Sequence, residues 1–321
     1  MTAIDTIGGT AVSECRGFGW SALIRYIYRF YCRRNCHRLI FGTSEVLLTI
    51  GLGRSNDVLI FTGLGRLLQA GGAVSKLVRI ALRLCYRGQS IISLNSDDQR
   101  YLSELFSTQA HLINGEGYQF SGHILSARPR RPLRIAYVGR LLKSKAVDQL
   151  ISAVAGLNGC RLTLIGDIDF GNSDGIDSTW LGEQIISSGG RIEHVGFIQD
   201  VRSVLHDIDV VVSMSIREGL PFAVLDAMDT GCLAVLSPVP GHLAFEGMDG
   251  IIFTETAMLS SVLQTIIDSP EKYFRFNPNF RKDACRERFG YSHIATSIET
   301  ILRQLVMCED LKNFDAYEQQ T

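Results

Sequence analysis

The sequence predicts an α/β protein with two Rossmann-like domains, the N-terminal one shortened. Three observations carry that expectation. From residue 133 onward, short continuous apolar runs alternate with helix-length stretches, the pattern of a parallel sheet covered on both faces. The stretch 121–133 holds Ser, Gly, Pro and Arg, with Pro129 and Pro132 close together, and reads as a linker. The 321 residues, 46% hydrophobic and 20% charged, have ordinary globular composition and suffice for two domains.

The elements follow in order. Residues 1–19 are small, polar and Gly-containing and read as a loose terminus. Residues 20–36 read as a helix in which Trp20, Tyr26, Tyr28, Phe30 and Tyr31 alternate with Arg25 and Arg29. Those arginines exclude a secretory signal and a membrane span there. The mixture suits a helix docked on the core or one lying on a membrane surface, so peripheral membrane contact stays open. Runs at 46–50 and 58–62 predict strands, and Gly63-Leu64-Gly65 breaks the second. A helix is expected over 73–86, a buried strand over 90–94, and a helix over 97–107 capped by Ser96 or Asp97.

Beyond the linker, strands are expected at 134–138, 162–165, 192–195, 210–213 and 233–236, separated by helices at 146–155, 181–188, 201–206 and 222–228. A last helix is expected over 292–307. The predicted organisation is a reduced N-terminal domain over 1–128, a second domain over 133–305 and a tail over 306–321.

Lys and Arg number 32 against 33 Asp and Glu, a balance that gives no overall pull toward nucleic acid. Basic residues do cluster locally, at Arg25, Arg29, Arg33, Arg34, His37 and Arg38, and at Arg128, Arg130, Arg131 and Arg134. The eight Cys are scattered in mostly apolar surroundings and read as free buried thiols. Cys32, Cys36 and His37 form the only tight group, and their spacing is not that of a zinc site. No bound metal or cofactor is expected.

In a doubly wound sheet, ligands bind outside the carboxyl ends of the strands. Gly139-Arg140 follows the first strand of the second domain, with Lys145 five residues on. Gly166-Asp167 follows the second, and Gly196-Phe197 the third. The fourth is followed by Ser215-Ile216-Arg217-Glu218-Gly219-Leu220-Pro221-Phe222-Ala223, and the fifth by Pro238-Val239-Pro240-Gly241. Gly219 lets backbone approach a ligand. Pro221 suits the first turn of a helix, whose amides at about Phe222 to Val224 then favour an anion. Arg140 and Lys145 add two cations. Together these make a diphosphate cradle without a metal, each charged contact contributing about 1.5–3 kcal/mol. Glu218 and Asp226, eight residues apart, place a carboxylate on each side of it. That arrangement suits a ligand with a sugar at each end of a diphosphate.

These residues resemble the group 1 (family 4) glycosyltransferases, which have the GT-B fold. Val138-Gly139-Arg140-Leu141 with Lys145-Ala146 matches the family's Val-Gly-Arg-Leu and Lys-Gly. Glu218-Gly219-Leu220-Pro221 and Leu225-Asp226-Ala227-Met228 match its Glu-Gly-x-Pro and Leu-Glu-Ala-Met. Val239-Pro240-Gly241 matches its Val-Pro-Gly turn. The resemblance runs from about 133 to 305 and is closest to bacterial enzymes building O-antigen or exopolysaccharide repeats. Thr62-Gly63-Leu64-Gly65, Asn95-Ser96-Asp97-Asp98 and Asn114-Gly115-Glu116-Gly117 look like segments of that subgroup. Two departures stand out: Asp226 replaces Glu, and the family's opening strand with its Gly-rich turn has no clear counterpart.

The resemblance implies that Arg140 and Lys145 bind the donor diphosphate, Glu218 contacts the transferred sugar, Asp226 holds the ribose hydroxyls, and backbone near Phe197 meets the base. Gly139, Gly166, Gly219, Leu220, Pro221, Phe222 and Ala223 would complete the donor site. It implies a hexose passed from a UDP- or GDP-sugar to a glycan or lipid-linked acceptor with retained configuration, at the cytoplasmic side of the membrane, and a last helix packed back on the N-terminal domain. The family's histidine near the reacting sugar has only His37 and His111 as candidates. A catalytically silent nucleotide-sugar-binding or scaffolding protein is the alternative. A nicotinamide enzyme would need Gly-x-Gly-x-x-Gly, and Gly63-Leu64-Gly65 is followed by Leu68 where the third glycine belongs.

Overall fold

The computed structural model describes residues 4–7, 10–13, 38–50, 57–64, 68, 71–121, 131–275 and 277–318. The predicted helix at 20–36, with Cys32, Cys36 and His37, lies outside them, as does the linker's centre at 122–130. Strands β1 (Ile4–Ile7) and β2 (Thr10–Ser13) pair antiparallel. This corrects the loose terminus expected over 1–19: β-branched residues on both sides of Gly8-Gly9 favour a hairpin.

The N-terminal sheet is parallel and runs β3 (Arg38–Phe41), β4 (Asp57–Phe61), β5 (Ser90–Ser93), β6 (His111–Leu112). Helices α1 (Thr43–Leu48), α2 (Ala73–Cys85) and α3 (Ser96–Phe106) connect its strands. Helix α1 overturns the strand expected at 46–50. A short apolar run does not distinguish strand from helix, and here only Val46 of the helix is buried. Helix α3 is capped by Asn95, whose side-chain oxygen accepts from the Asp98 amide at 2.8 Å, rather than by Ser96 or Asp97.

The second sheet carries six parallel strands in the order β12-β11-β10-β7-β8-β9. They are β7 (Leu133–Val138), β8 (Cys160–Ile165), β9 (Ile192–Gly196), β10 (Val210–Ser213), β11 (Leu233–Leu236) and β12 (Ile251–Phe253), the last not expected from the sequence. Between them lie α4 (Val147–Ala155), α5 (Ser178–Ser187), α6 (Arg202–Leu205), α7 (Phe222–Thr230) and α8 (Pro240–Leu243). After β12 come α9 (Leu259–Asp268), α10 (Pro270–Tyr273), α11 (Pro278–Phe289) and α12 (Tyr291–Glu318).

Every residue of β10 and β11 is buried, as expected of strands covered on both faces. On one face Leu133, Ile135 and Tyr137 pack against Val147, Leu150 and Ile151 of α4. On the other, Ala136 and Val211 pack against Leu205 and Ala227. Helices α4, α6 and α7 begin within one residue of expectation, and α5 begins three residues before it. Helix α5 begins at Ser178, capped by Asp177, whose carboxylate accepts from the Trp180 amide at 2.8 Å.

The strand order reverses beside β7, which pairs with β8 on one side and with β10 on the other. Chains leaving β7 and β10 turn to opposite faces, and a crevice opens between them. Helix α12 returns to the first domain. Its Ile294, Ile298, Ile301 and Leu302 pack on Val58, Ile60, Ile92, Leu94 and Ile113. Among the described residues, no helix is long and apolar enough to cross a membrane.

Candidate active site

The strand ends of β7 and β10 build the centre of the site. Strand β7 ends at Val138, Gly139 follows it, and a 3₁₀ turn over Lys143–Lys145 leads into α4. Asp174 pins that turn: its carboxylate accepts from the Ser144 amide at 3.1 Å and from the Ser144 hydroxyl, and its carbonyl accepts from the Lys143 amide at 2.7 Å. The loop after β10 is tied to the same turn, because the Ile216 amide donates to the Ser144 carbonyl at 3.0 Å. Two loops from opposite sides of the crevice are thereby fixed together.

This brings Lys145 Nζ to 2.5 Å from Glu218 Oε1, with side chains 25% and 19% exposed. The Ser215 hydroxyl donates to the same oxygen at 2.8 Å. Glu218 therefore has one committed oxygen and the other available to a ligand. Ala146, where the family has glycine, sits at φ 53° and ψ 35°, the left-handed region that costs a residue with a Cβ roughly 1–2 kcal/mol.

Glycines set how closely the loops nest. A Cβ at Gly166 would lie 2.0 Å from the Gly139 carbonyl oxygen, so the turns after β7 and β8 touch through backbone. A Cβ at Gly241 would lie 1.5 Å from the Gly219 oxygen and 2.6 Å from that of Glu218. Gly241→Ala is therefore expected to displace the Glu218-Gly219 loop and, by analogy with ångström-scale misplacement of reacting groups, to lower transfer by about 100-fold. Steady-state rates with a sugar nucleotide would check this. Wild-type rates would mean the loop accommodates the methyl group.

Pro221 is the N-cap of α7 rather than its first helical residue, and its carbonyl accepts from the Val224 amide at 3.1 Å. Of the amides expected at the helix start, Phe222 and Ala223 remain, and Val224 drops from the set because it bonds the Pro221 carbonyl. The Phe222 side chain is partly exposed beside the crevice, with its ring 6.1 Å from that of Tyr118.

Three expected ligand contacts have protein partners here. Arg140 Nη1 pairs with Asp169, on the turn after β8, at 2.9 Å. The Phe197 amide donates to Asp167 at 3.2 Å, while its ring is 70% exposed. Asp226 accepts from the Tyr118 hydroxyl at 2.5 Å. Burial raises the Asp226 carboxyl above its ordinary range, against the lowering effect of that hydrogen bond and of Arg202.

The N-terminal domain supplies the other wall. Gly219 faces the Thr62 carbonyl, and Leu220 seats against Gly115, where a Cβ would stand 2.2 Å from its Cδ2. Asp98 is close enough to Arg217 for that cation to oppose the rise that burial imposes on its carboxyl. The segments containing Thr62, Asp98 and Gly115 thus meet at the 217–220 loop.

Sequence reasoning missed two buried groups. Asp229, fully buried on α7, accepts from the Ser121 amide at 2.9 Å and pairs with Lys282 at 3.2 Å and Arg202 at 3.5 Å. His242 on α8 is fully buried behind Gly241. Its Nδ1 lies 2.8 Å from the Ser237 carbonyl, which can only accept, so Nδ1 carries the proton and Nε2 accepts from the Ser213 hydroxyl at 3.2 Å. His111, on β6, lies at the far edge of the first sheet and is half-buried.

Burial pushes the His242 imidazole below its ordinary value, and it is neutral in the folded state. The unfolded chain protonates it below about pH 6.5, so the unfolded state binds more protons there. Stability is expected to fall as pH drops through that range, by up to about 1.4 kcal/mol per pH unit from this group. Melting curves of wild type and His242→Gln between neutral and acid pH test it. An undiminished slope in the variant would assign the effect elsewhere.

Residues 132–268 match the family model described as Glycosyl transferases group 1. No curated protein matches the chain by sequence. Solved structures of similar fold include the following three. HepE of Anabaena, solved with UDP, is 16% identical, with 88% of this chain and 82% of that one covered at a TM-score of 0.70. Sucrose-phosphate synthase from Thermosynechococcus elongatus is 17% identical, with 90% and 78% covered at 0.70. The lipopolysaccharide outer core galactosyltransferase WaaB is 17% identical, with 81% and 80% covered at 0.56. With the parallel sheets and the crevice between them, these likenesses establish a GT-B fold. The match to the glycosyl transferases group 1 family model falls on the second domain of that fold.

Proposed function

We propose that this protein is a retaining glycosyltransferase that moves a hexose from a UDP- or GDP-sugar to a glycan or lipid-linked acceptor, in polysaccharide assembly. The observation that carries the reading is the Lys145–Glu218 pair, held at the switch point of the second sheet beside the open end of α7. Lys145 and the Phe222 and Ala223 amides would meet the diphosphate. Their positive potential favours the charge that develops on it as the sugar leaves. The available oxygen of Glu218 would accept from a sugar hydroxyl. Asp226 would meet the ribose through the oxygen that Tyr118 leaves open. Arg140 would join the phosphates by exchanging Asp169 for them. No metal enters this account. The UDP-glucose seen in HepE supports a nucleotide-sugar donor by analogy of fold.

The Arg140–Asp169 and Tyr118–Asp226 pairs favour a second reading, a silent nucleotide-sugar-binding protein. Calorimetric titration with UDP-, GDP- and ADP-sugars, followed by transfer assays with labelled donor, separates the two. Binding with transfer supports the enzyme, binding without turnover supports the silent protein, and no binding to any of them overturns both.

A further inference from the structure

The exposed side of α2 carries an apolar stripe. Val74, Leu77, Ile80 and Leu84 are 65%, 66%, 54% and 74% exposed, while Ser75 and Leu82 face the core. At 3.6 residues per turn these four fall on one face, opposite the buried one. Lys76, Arg83 and Arg87, all exposed, form a strip along one edge of that face. Helix α2 thus has two apolar sides, and only one of them is covered by its own domain.

Charge says what the second side meets. No acidic residue occurs between Asp57 and Asp97, whereas Arg66, Lys76, Arg79, Arg83 and Arg87 do. Residues 1–128 hold fourteen Lys and Arg against eight Asp and Glu, a net of +6 in a chain whose whole net charge is −1. The excess positive charge is therefore concentrated in the domain that presents the stripe. A second copy of this face would bring like charges together. The Arg-rich segment 16–38, which has no acidic residue, would do the same. An apolar stripe edged by cations complements an anionic lipid surface, which offers headgroup charge at one depth and hydrocarbon at the next.

We infer that α2 is a membrane-docking face, binding peripherally to anionic bilayers through Val74, Leu77, Ile80 and Leu84, with Lys76, Arg83 and Arg87 at the headgroups. The inference stands apart from the transferase reading, since it uses no residue of the crevice.

Co-sedimentation of the full chain with phosphatidylcholine vesicles, with and without phosphatidylglycerol, tests it. The wild type is expected to bind the anionic vesicles, more weakly as salt rises. Leu77→Ser/Ile80→Ser/Leu84→Ser should lower that binding by about ten-fold or more. Lys76→Ser/Arg83→Ser/Arg87→Ser should lower it by about five-fold per charge removed. Both triple variants alter exposed positions and should keep the wild-type melting curve, which verifies the fold. Absence of wild-type binding, or equal binding by the folded variants, would overturn the inference. So would a dimer in sedimentation velocity that the apolar variant dissolves.

Discussion

Lys145→Ala and Glu218→Ala are each expected to cut transfer by roughly 100- to 1,000-fold, the cost of removing one preorganised group from a site of developing charge. The two side chains approach to 2.5 Å although they come from loops on opposite sides of the crevice. That contact follows from topology, because β7 and β10 are neighbours in the sheet. Glu218→Ala leaves Lys145 unpaired and able to follow the phosphates, so its loss should fall mainly on kcat. Lys145→Ala should weaken UDP binding as well, because the cation that meets the diphosphate is gone. Lys145→Arg keeps the charge on a wider head and should restore binding better than turnover. Steady-state kinetics with calorimetric UDP titration distinguishes these outcomes. Wild-type kcat in Glu218→Ala would remove that residue from the chemistry.

The largest effect on stability is expected at Asp229. Its carboxylate is fully buried, and Lys282 beside it is 3% exposed. Taking away Lys282 alone, as in Lys282→Met, leaves the buried carboxylate with the longer Arg202 contact at 3.5 Å as its remaining ion pair and should cost about 3–5 kcal/mol. In a chain this size that lowers Tm by about 10 °C. Asp229→Asn/Lys282→Met removes both charges and should recover a large part of the loss. Thermal denaturation of wild type, Asp229→Asn, Lys282→Met and the double variant forms a double-mutant cycle, and additive losses would show that the two charges do not interact. The cluster also holds Ser121, from the chain segment that follows the first sheet, so the expected loss includes the anchoring of that segment to α7.

Much of this architecture is legible in the sequence because β10 and β11 are continuous apolar runs that end in small or polar residues at the strand mouths. Such runs are buried on both faces and admit little else. The run at 46–50 is equally apolar but too short to fix its period, and Thr43-Ser44-Glu45 before it makes a good helix start. Strand β12 is three residues of partly buried edge and carries a weak pattern.

At the site, sequence spacing placed Lys145 and Glu218 at strand ends, and the sheet order then brought them together. Side-chain partners were not legible. Arg140 meets Asp169, Tyr118 meets Asp226 across 108 positions, and Asp229 meets Lys282. No local periodicity encodes pairings of that range. Asp229 was detectable only as an acid on the apolar side of α7, among Val224, Leu225 and Met228.

The chain passes between its two halves around Tyr118 and again at Gly290. Those passages are bound to each other: the Tyr118 amide donates to the Phe289 carbonyl at 2.9 Å, and the Tyr291 amide to that of Tyr118 at 3.1 Å. Two separate straps would let the halves slide and tilt independently. Laced side by side, they form one hydrogen-bonded line of crossing between the halves. Gly117 lies at φ 89° beside that line, against the Tyr291 backbone, where a side chain would jam the turn.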